Sequence, residues 1–414
     1  MNGEIIAIGD EIISGKVLNR NSNFSARSLF HAGYLVTRIT SVGDDIEAIK
    51  EVLRGAISRS RFVILTGGLG PTPDDITNEA VAVALGLRLV ENAALRAVLD
   101  SIPRDEYPLT ESQKRKLTHL PEGAEVLRPQ ARTSGYMLRV GECVVFCLPG
   151  VPEELEELIR GQVLPRLKAL LPSDLVILQK TFKVFGLKEP EVQHRLDAIE
   201  FDPNRVLIGY YPNFPEVHVT ITTKGKNGRE ARECFENVKC SVKEMLGDFV
   251  VAEDDETLEA RVGALLLERG RVLATAESCT GGLISSMITR VPGSSQWFDR
   301  GVVTYSNQAK MDLLGVREET LRRHGAVSQE TCTEMVEGLR RRTRAHYFIA
   351  VTGIAGPTGG TPEKPVGTVY IGTGTPEGTS AKRYQFKGDR IRIQLITAET
   401  ALDLVRRSLI LSQP

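Results

Sequence analysis

The sequence predicts an α/β protein of three consecutive domains, and three observations carry that prediction. At 414 residues the chain exceeds what one hydrophobic core organises, so two or three domains are expected. Short β-rich runs alternate with helical segments in the first part, the rhythm of a parallel sheet covered by helices. From about 174 to 250 the order changes to strand, helix, strand, strand, helix, which is a small α+β unit.

In the first block "EIIAIG" precedes a helix expected over about 20–32, "YLVTRI" one over about 45–59, and "RFVILTGG" one from about Thr77 to Leu85. The strands "EVLRP", "YMLRV" and "CVVFCLPG" form a more irregular section, and a helix over about 152–170 closes the unit. Pro172 and Ser173 suit a boundary, so the first domain is drawn as 1–171 and the second as 172–250. The second holds "LVILQKTFKVFG", "VLIGYYP" and "EVHVTITTKG", with helices near 189–199 and 229–246. The third, 251–414, opens after the acidic "VAEDDET" with the helical spacing of "LEARVGALLLERG" and the buried strand "RVLATAES". Later, "HYFIAVTGIAG" and "VGTVYIGTG" read as central strands and 389–410 as a closing amphipathic helix. The "GPTGGTPEKPVG" between those strands cannot be helical, and a Gly/Pro loop of this length is often a functional lid.

Composition narrows the function classes. A formal net charge of −1, with 25% charged and 41% hydrophobic residues, announces no polyanionic partner and disfavours nucleic acid. The six cysteines are scattered, without a CxxC pair or histidines at zinc spacing, which argues against a disulfide framework and a structural zinc. No stretch approaches the length needed to span a bilayer, and "MNGEIIAIGDEIISG" lacks a basic segment followed by an apolar run. A soluble protein of the reducing cytoplasm is expected, with no membrane partner.

Two segments carry chemistry. "TGGLGPTPDD", residues 66–75, lies between a strand and a helix. Gly67, Gly68 and Gly70 let the backbone approach a ligand, Thr72 adds a hydroxyl, and the helix N-terminus beyond suits phosphate. The Lys-Ser/Thr pair of a Walker loop is absent. The plain alternative is a tight turn with Asp74 or Asp75 as helix cap. "GDE" at 9–11 ends the first strand, and the C-terminal ends of parallel strands gather at one edge. Asp10, Glu11, Asp74 and Asp75 are therefore expected to share a crevice, where a divalent cation (Co, Mn or Mg) would relieve their repulsion of phosphate.

"GDEIISG", "SVGDD", "TGGLGPTPDDIT" and "LPGVPEE" together resemble the CinA family. The resemblance implies a doubly wound, molybdopterin-binding-like first domain that hydrolyses ADP-ribose to AMP and ribose 5-phosphate with a metal, a KH-like middle domain, and a homodimer. The GXXG loop of nucleic-acid-binding KH modules is not evident in the middle block, so a scaffolding role is expected there. Where family members usually carry Asn-x-x-Gln and a later "GTAPG", this chain reads "SQKRKLTHLPEG" and "RPQARTSGYML". Gln113, Lys116, Arg128 and the 132–135 run stand in their place.

The second segment is "AESCTGG", residues 276–282, at the junction of a strand with a helix expected to reach about Arg290. Ser278, Cys279 and Thr280 are all potential nucleophiles and all ordinary helix starters. Successive strand residues face opposite sides, so Ser278 and Cys279 are not expected in one pocket. A nucleophile needs a base, and the two histidines of this block, His324 and His346, stand in a turn and just before a strand. A desolvated lysine can replace histidine, and "GSSQWFDRGVVTYSNQAK" supplies Ser295, Tyr305 and Lys310. The plain alternative is an amphipathic surface.

"AESCTGG", "PGSSQWFDRGVVTYSNQAK", "HGAVSQET", "VTGIAGPTGG", "EKPVGTVYI" and "GDR" resemble the nicotinamide mononucleotide amidase domain of the same family. That resemblance implies a C-terminal α/β amidase that works without a cofactor. Carried onto matching positions, its functional residues are Ser278, Ser295, Tyr305, Lys310, Thr352 and Arg390. In this reading Ser278 attacks, with Ser295 as runner-up, Lys310 is the base, and Tyr305 or Ser295 relays a proton to ammonia. Backbone N–H groups of Thr280, Gly281 and Gly282 form the oxyanion pocket, Arg390 takes the 5′-phosphate, and Thr352 and Gly353 position base and ribose.

Overall fold

The computed structural model describes residues 1–103, 105, 107–130, 134–226 and 228–411. Two compact units emerge, Met1–Gln179 with Thr223–Glu233, and Lys180–Thr222 with Cys234–Pro414.

In the first unit a six-stranded sheet runs in the order Leu35–Val42, Asn2–Ile8, Phe62–Thr66, Cys143–Leu148, Tyr136–Val140, Glu125–Val126. The first four strands are parallel and the last two antiparallel. Strand periodicity builds two cores from one sheet. Ile5, Phe62, Ile64, Val144 and Phe146 pack with Leu29, Leu155, Leu158 and Leu167 from the helices on one side. Ile6, Val63, Leu65 and Val145 pack with Ile49, Leu53, Ala80 and Val81 on the other. This is the doubly wound arrangement expected. The expected helix over 152–170 carries a π turn at Ile159–Val163, where Pro165 lacks the N–H that an α-helical bond back up the chain would need. The expected strand "EVLRP" shortens to Glu125–Val126.

The middle block forms a four-stranded sheet in the order Val206–Asn213, Glu216–Gly225, Val176–Val184, Val250–Glu253. The last strand corrects the reading of "VAEDDET" as a mere lead-in, since Val250 pairs antiparallel with Val184.

The C-terminal block repeats the two-core logic. Its sheet runs Phe298–Val303, Leu273–Glu277, Tyr347–Gly353, Thr368–Thr375, Gly378–Gln385, with the first three strands parallel and the last two antiparallel. Leu273, Tyr347, Ile349 and Val351 pack with residues of the helices Leu258–Glu268 and Arg390–Leu411. Ala274, Ala276, Phe348 and Ala350 face the helix Gln329–Arg342 through Cys332, Met335, Val336 and Leu339. Among the described residues no helix is long and apolar enough to cross a membrane.

Candidate active site

The strand Leu273–Glu277, second in the C-terminal sheet, ends between the ends of its two parallel neighbours. Ser278 prolongs it by one residue, its N–H donating to the Val351 carbonyl at 3.1 Å. Alternation then separates the two neighbours that the sequence set side by side. Cys279 enters the core containing Val262, Leu266 and Ile284, and burial pushes its thiol up to about 12. A neutral thiol is a poor nucleophile.

Ser278 meets Lys310. That lysine lies on the helix Asn307–Leu314, whose start is fixed by the Ser306 hydroxyl accepting from the Ala309 N–H at 3.0 Å. Lys310 is 1% exposed, and its Nζ donates to Ser278 Oγ at 3.0 Å and to the Thr304 carbonyl at 2.7 Å. Burial holds its pKa below the ordinary lysine value, because an ammonium without water loses stabilisation. The Thr304 N–H in turn donates to the Glu277 carbonyl at 2.7 Å. One strand end thus positions both nucleophile and base.

Glu277 is not among the expected site residues, although a carboxylate closing an apolar strand is a legible anomaly. It is fully buried. Its Oε2 accepts the N–H groups of Gly282 and Ile284 at 3.0 Å, and its Oε1 accepts the Ser285 N–H at 2.8 Å and hydroxyl at 2.7 Å. These bonds satisfy donors that the helix Leu283–Thr289 leaves open at its start. They also correct the expected oxyanion pocket: the Gly282 N–H belongs to Glu277, and the Gly281 N–H donates to the Ser278 carbonyl at 3.1 Å. Gly281 and Gly282, at φ of 63° and 100°, shape the turn and leave no donor of their own for a substrate.

The other expected residues divide. Arg390, at the start of the closing helix, donates to the Tyr305 hydroxyl at 3.0 Å and to the Gly356 carbonyl at 2.8 Å. Tyr305 therefore sits with the expected phosphate ligand, and no bond joins it to Lys310. Thr352 is 1% exposed and its hydroxyl donates to the Ala326 carbonyl at 2.8 Å, which leaves its oxygen to accept; Gly353 ends the same strand. Ser295 does not join the site within one chain. It lies in the turn Ser294–Gln296, next to Trp297, whose carbonyl accepts the Leu273 N–H at 2.8 Å. Ser295 therefore lies at the opposite end of the strand from Ser278, roughly 16 Å away at about 3.3 Å per residue. His346 lies at that far edge too, with Nδ1 accepting the Val272 N–H at 3.2 Å.

The first unit holds a cavity of about 350 Å³ lined by Gly9, Glu11, Val17, Leu18, Asn19, Arg20, Asn21, Asp44, Thr66, Gly67, Gly68, Gly70, Asp74, Asp75 and Gly150 among others. A Cβ on Gly67 would stand 2.2 Å from the Ile8 carbonyl oxygen, and one on Gly68 2.3 Å from Thr77 Oγ1, so the loop hugs the sheet edge only as glycine. Two expectations change. The Thr77 N–H donates to the Gly68 carbonyl at 3.1 Å, so this helix start is partly satisfied from within; the start at Asn19, Arg20 and Asn21 lines the cavity. Of the expected carboxylates, Glu11, Asp74 and Asp75 line the cavity and Asp10 does not, while Asp44 joins them; Asp75 accepts the Thr72 N–H at 2.8 Å and the Thr72 hydroxyl. Asp10 and Asp44 each donate a backbone N–H to the other's carboxylate, at 2.9 and 3.2 Å, and burial first, with the charges of Asp10, Glu11 and Asp74, raises the Asp44 pKa against the lowering bond from the Asp10 N–H.

A divalent cation does not fit this set as built. Among the described residues no three His, Cys, Asp or Glu side chains converge on a metal position.

Of the residues that replace the family's amides, Gln113 forms a capping box with Thr110 and Arg128 pairs with Glu157. Residues 131–133 lie outside the described residues. Lys116 donates to the carbonyls of Thr72, Pro73 and Asp75 at 2.9, 3.2 and 2.8 Å. It clamps the glycine loop. Lys116→Met is expected to speed amide hydrogen exchange over 70–76 at least tenfold, since charge-assisted bonds contribute about 1.5–3 kcal/mol each; unchanged exchange there would refute the clamp.

Comparison with known proteins places these elements. The family profile "CinA C-terminal domain" matches residues 255–409, "Damage-inducible protein CinA KH domain" matches 179–252, and "Probable molybdopterin binding domain" matches 4–169. A "CinA-like protein" of Desulfotalea psychrophila is 43% identical over 411 residues, covering 99% of each chain. Another of Syntrophus aciditrophicus is 41% identical over 409 residues, covering 98% of this chain and 97% of its own. Among solved structures, the competence/damage inducible protein CihA of Agrobacterium tumefaciens is 44% identical, covering 37% of this chain and 93% of its own, with a TM-score of 0.36.

Proposed function

We propose, from the premise that this chain belongs to the CinA family, that its C-terminal domain hydrolyses nicotinamide mononucleotide to nicotinate mononucleotide and ammonia. The observation that carries the reading is the buried Lys310 Nζ 3.0 Å from Ser278 Oγ. A lysine depressed by burial supplies free amine nearer neutral pH, and a positioned base raises the nucleophilicity of a serine hydroxyl.

In this reading the free amine of Lys310 takes the Ser278 proton as Oγ bonds to the carboxamide carbon. The C–N bond then breaks and the same proton passes to the departing nitrogen, which leaves as ammonia. Water adds to the acyl ester and gives a proton to Lys310. The ester bond breaks, the Lys310 proton returns to Ser278 Oγ, and the product acid gives its remaining proton to solvent, so that nicotinate mononucleotide leaves as the carboxylate. Arg390 suits the 5′-phosphate: a guanidinium offers five donors, and Tyr305 and Gly356 engage two of its nitrogens. Wild-type protein with nicotinamide mononucleotide in EDTA is expected to release ammonia while Ser278→Ala releases none. Ammonia at the wild-type rate from Ser278→Ala would move the nucleophile elsewhere.

A second activity is favoured by the cavity of the first unit. Its glycine loop, its Arg20 side chain and its apolar Val17 and Leu18 suit a nucleotide diphosphate with a base, and ADP-ribose is the proposed ligand. No metal step is derived, since the carboxylates do not form a cage. AMP release with Co²⁺, Mn²⁺ or Mg²⁺ tests it; ADP-ribose left intact with all three reduces this unit to a binding module.

A further inference from the structure

Arg390 reaches the site from the first turn of the closing helix, and the core does little to hold that turn. Asp389 caps it, its side chain accepting the Arg392 N–H at 2.8 Å. Arg390, Ile391 and Arg392 are exposed, Ile391 at 74%, and burial begins only at Ile393. From there the helix is fixed: Ile393 enters the core, and Gln394 donates to the Cys279 carbonyl at 2.8 Å, beside the nucleophile. A capped but unpacked first turn frays readily. An arginine that binds phosphate from such a turn loses affinity to the cost of ordering it, unless another contact has ordered it beforehand.

The middle block supplies that contact. Its neighbouring strands Val206–Asn213 and Glu216–Gly225 are joined by Phe214 and Pro215 alone, a two-residue hairpin connection. The Arg392 guanidinium lies over the Phe214 ring, 4.1 Å from its centroid, well inside the limit of about 6 Å for attraction of a cation to a ring face. Among the described residues no carboxylate pairs with Arg392, so the ring is its partner. Arg392 also lies against the chain entering the helix: a Cβ on Gly388 would stand 2.9 Å from that of Arg392. Two turns on, Glu399 shares the helix face of Arg392. There, after burial, the charge of Glu216 contributes most to raising the Glu399 pKa, so the hairpin follows the helix. His218 stiffens the tip, with Nε2 2.8 Å from Glu216 Oε2.

We propose that this hairpin braces the amidase site, with Phe214 as a positioning residue: its ring holds Arg392, and with it the first helical turn that aims Arg390 at the substrate's 5′-phosphate. The inference rests on the amidase reading above, and it gives the middle block a part in substrate binding. The effect is confined to the phosphate end. Ile393 and Gln394 hold the helix against the nucleophile's turn without the ring, so losing Phe214 weakens binding and leaves the chemical step alone.

The test uses the full chain, with nicotinamide mononucleotide as substrate and nicotinamide riboside, which lacks the phosphate, as competing ligand. Phe214→Ala is expected to raise KM for nicotinamide mononucleotide about fivefold or more, with kcat within about twofold and the inhibition constant of nicotinamide riboside unchanged. Phe214→Tyr keeps the ring face and is expected to keep KM within about twofold of the wild type. Arg392→Gln leaves the hairpin intact and is expected to reproduce Phe214→Ala, while the double variant adds nothing beyond either. If Phe214→Ala melts well below the wild type, the Arg392→Gln values decide. With active wild-type enzyme, an unchanged KM in Arg392→Gln overturns the inference and leaves the amidase reading standing. Equal weakening of the nucleotide and the riboside overturns it as well, because the damage would then reach beyond the phosphate. Wild-type protein that releases no ammonia overturns the amidase reading itself, and the inference with it.

Discussion

Lys310→Met is expected to lower turnover of nicotinamide mononucleotide by about 10⁴-fold, with KM little changed. A positioned general base contributes roughly 10²–10⁴ in rate, and nucleophile and base act as one unit, so the upper end applies. Methionine fills most of the space of a side chain that is 1% exposed and cannot take a proton. A titration separates this loss from simple misfolding. Lys310 has a folded pKa below the ordinary 10.5 because of burial. Between those two values the unfolded chain binds more protons than the folded one, so the wild type gains stability from this group as pH rises toward 10.5. Methionine removes that gain. Melting temperatures of wild type and Lys310→Met measured from about pH 7 to 10.5 should therefore shift in favour of the wild type as pH rises. The acid limb of wild-type kcat should lie below 10.5, reporting the same group. A constant difference in melting temperature, or turnover within tenfold of the wild type, would remove Lys310 from the role of base.

The fold was legible where apolar residues alternate on strands with two covered faces. Phe62–Thr66 and Tyr347–Gly353 are nearly continuous apolar runs with sharp ends, which is how strands buried on both faces read. Gly378–Gln385 escaped because only Ala381 of its eight residues is buried: it is an edge strand, held by its antiparallel neighbour. Val250–Glu253 escaped because four residues with a charged end carry too little periodicity to read.

At the site, local sequence showed residue types and not their pairing across the sheet. Ser278 was legible because it closes a strand. That Lys310 reaches it depends on the Thr304 N–H meeting the Glu277 carbonyl, a contact between strands that no local pattern announces. Tyr305 and Arg390 are 85 positions apart and meet only through the fold. Ser295 shows the reverse error: its stretch also contains Lys310, but a strand lies between them and carries them to opposite ends of the sheet. Asp44 and Lys116 were visible as charges near the right motifs, yet which charge faces the cavity and which clamps the loop is decided by backbone bonds.

The largest expected effect on stability belongs to Glu399→Gln. Glu399 lies on the closing helix, is 8% exposed and has an Oε2 with no hydrogen-bond partner. Burial first, then Glu216, Glu259 and Asp403, pushes its pKa from 4.5 up to about 8, with Lys183 opposing. The Lys183 ammonium is held by the Glu256 carbonyl at 2.5 Å, so it does not form the pair that would keep the carboxylate charged. Below about pH 4.5 both folded and unfolded chains hold this proton. Between 4.5 and about 8 the unfolded chain releases it and the folded chain keeps it, so stability falls as pH rises through that window. At the higher end the loss levels off at about 3–5 kcal/mol, because each tenfold difference in proton affinity between the two states corresponds to about 1.4 kcal/mol. Glutamine fills the same space and cannot ionise. The two proteins should therefore unfold at similar denaturant concentrations near pH 4.5, and Glu399→Gln should pull ahead steadily until about pH 8. Other titrating groups act on both proteins alike, so the difference between the two curves isolates this carboxyl. Parallel curves from about pH 4.5 to 9 would mean that Glu399 ionises freely in the fold.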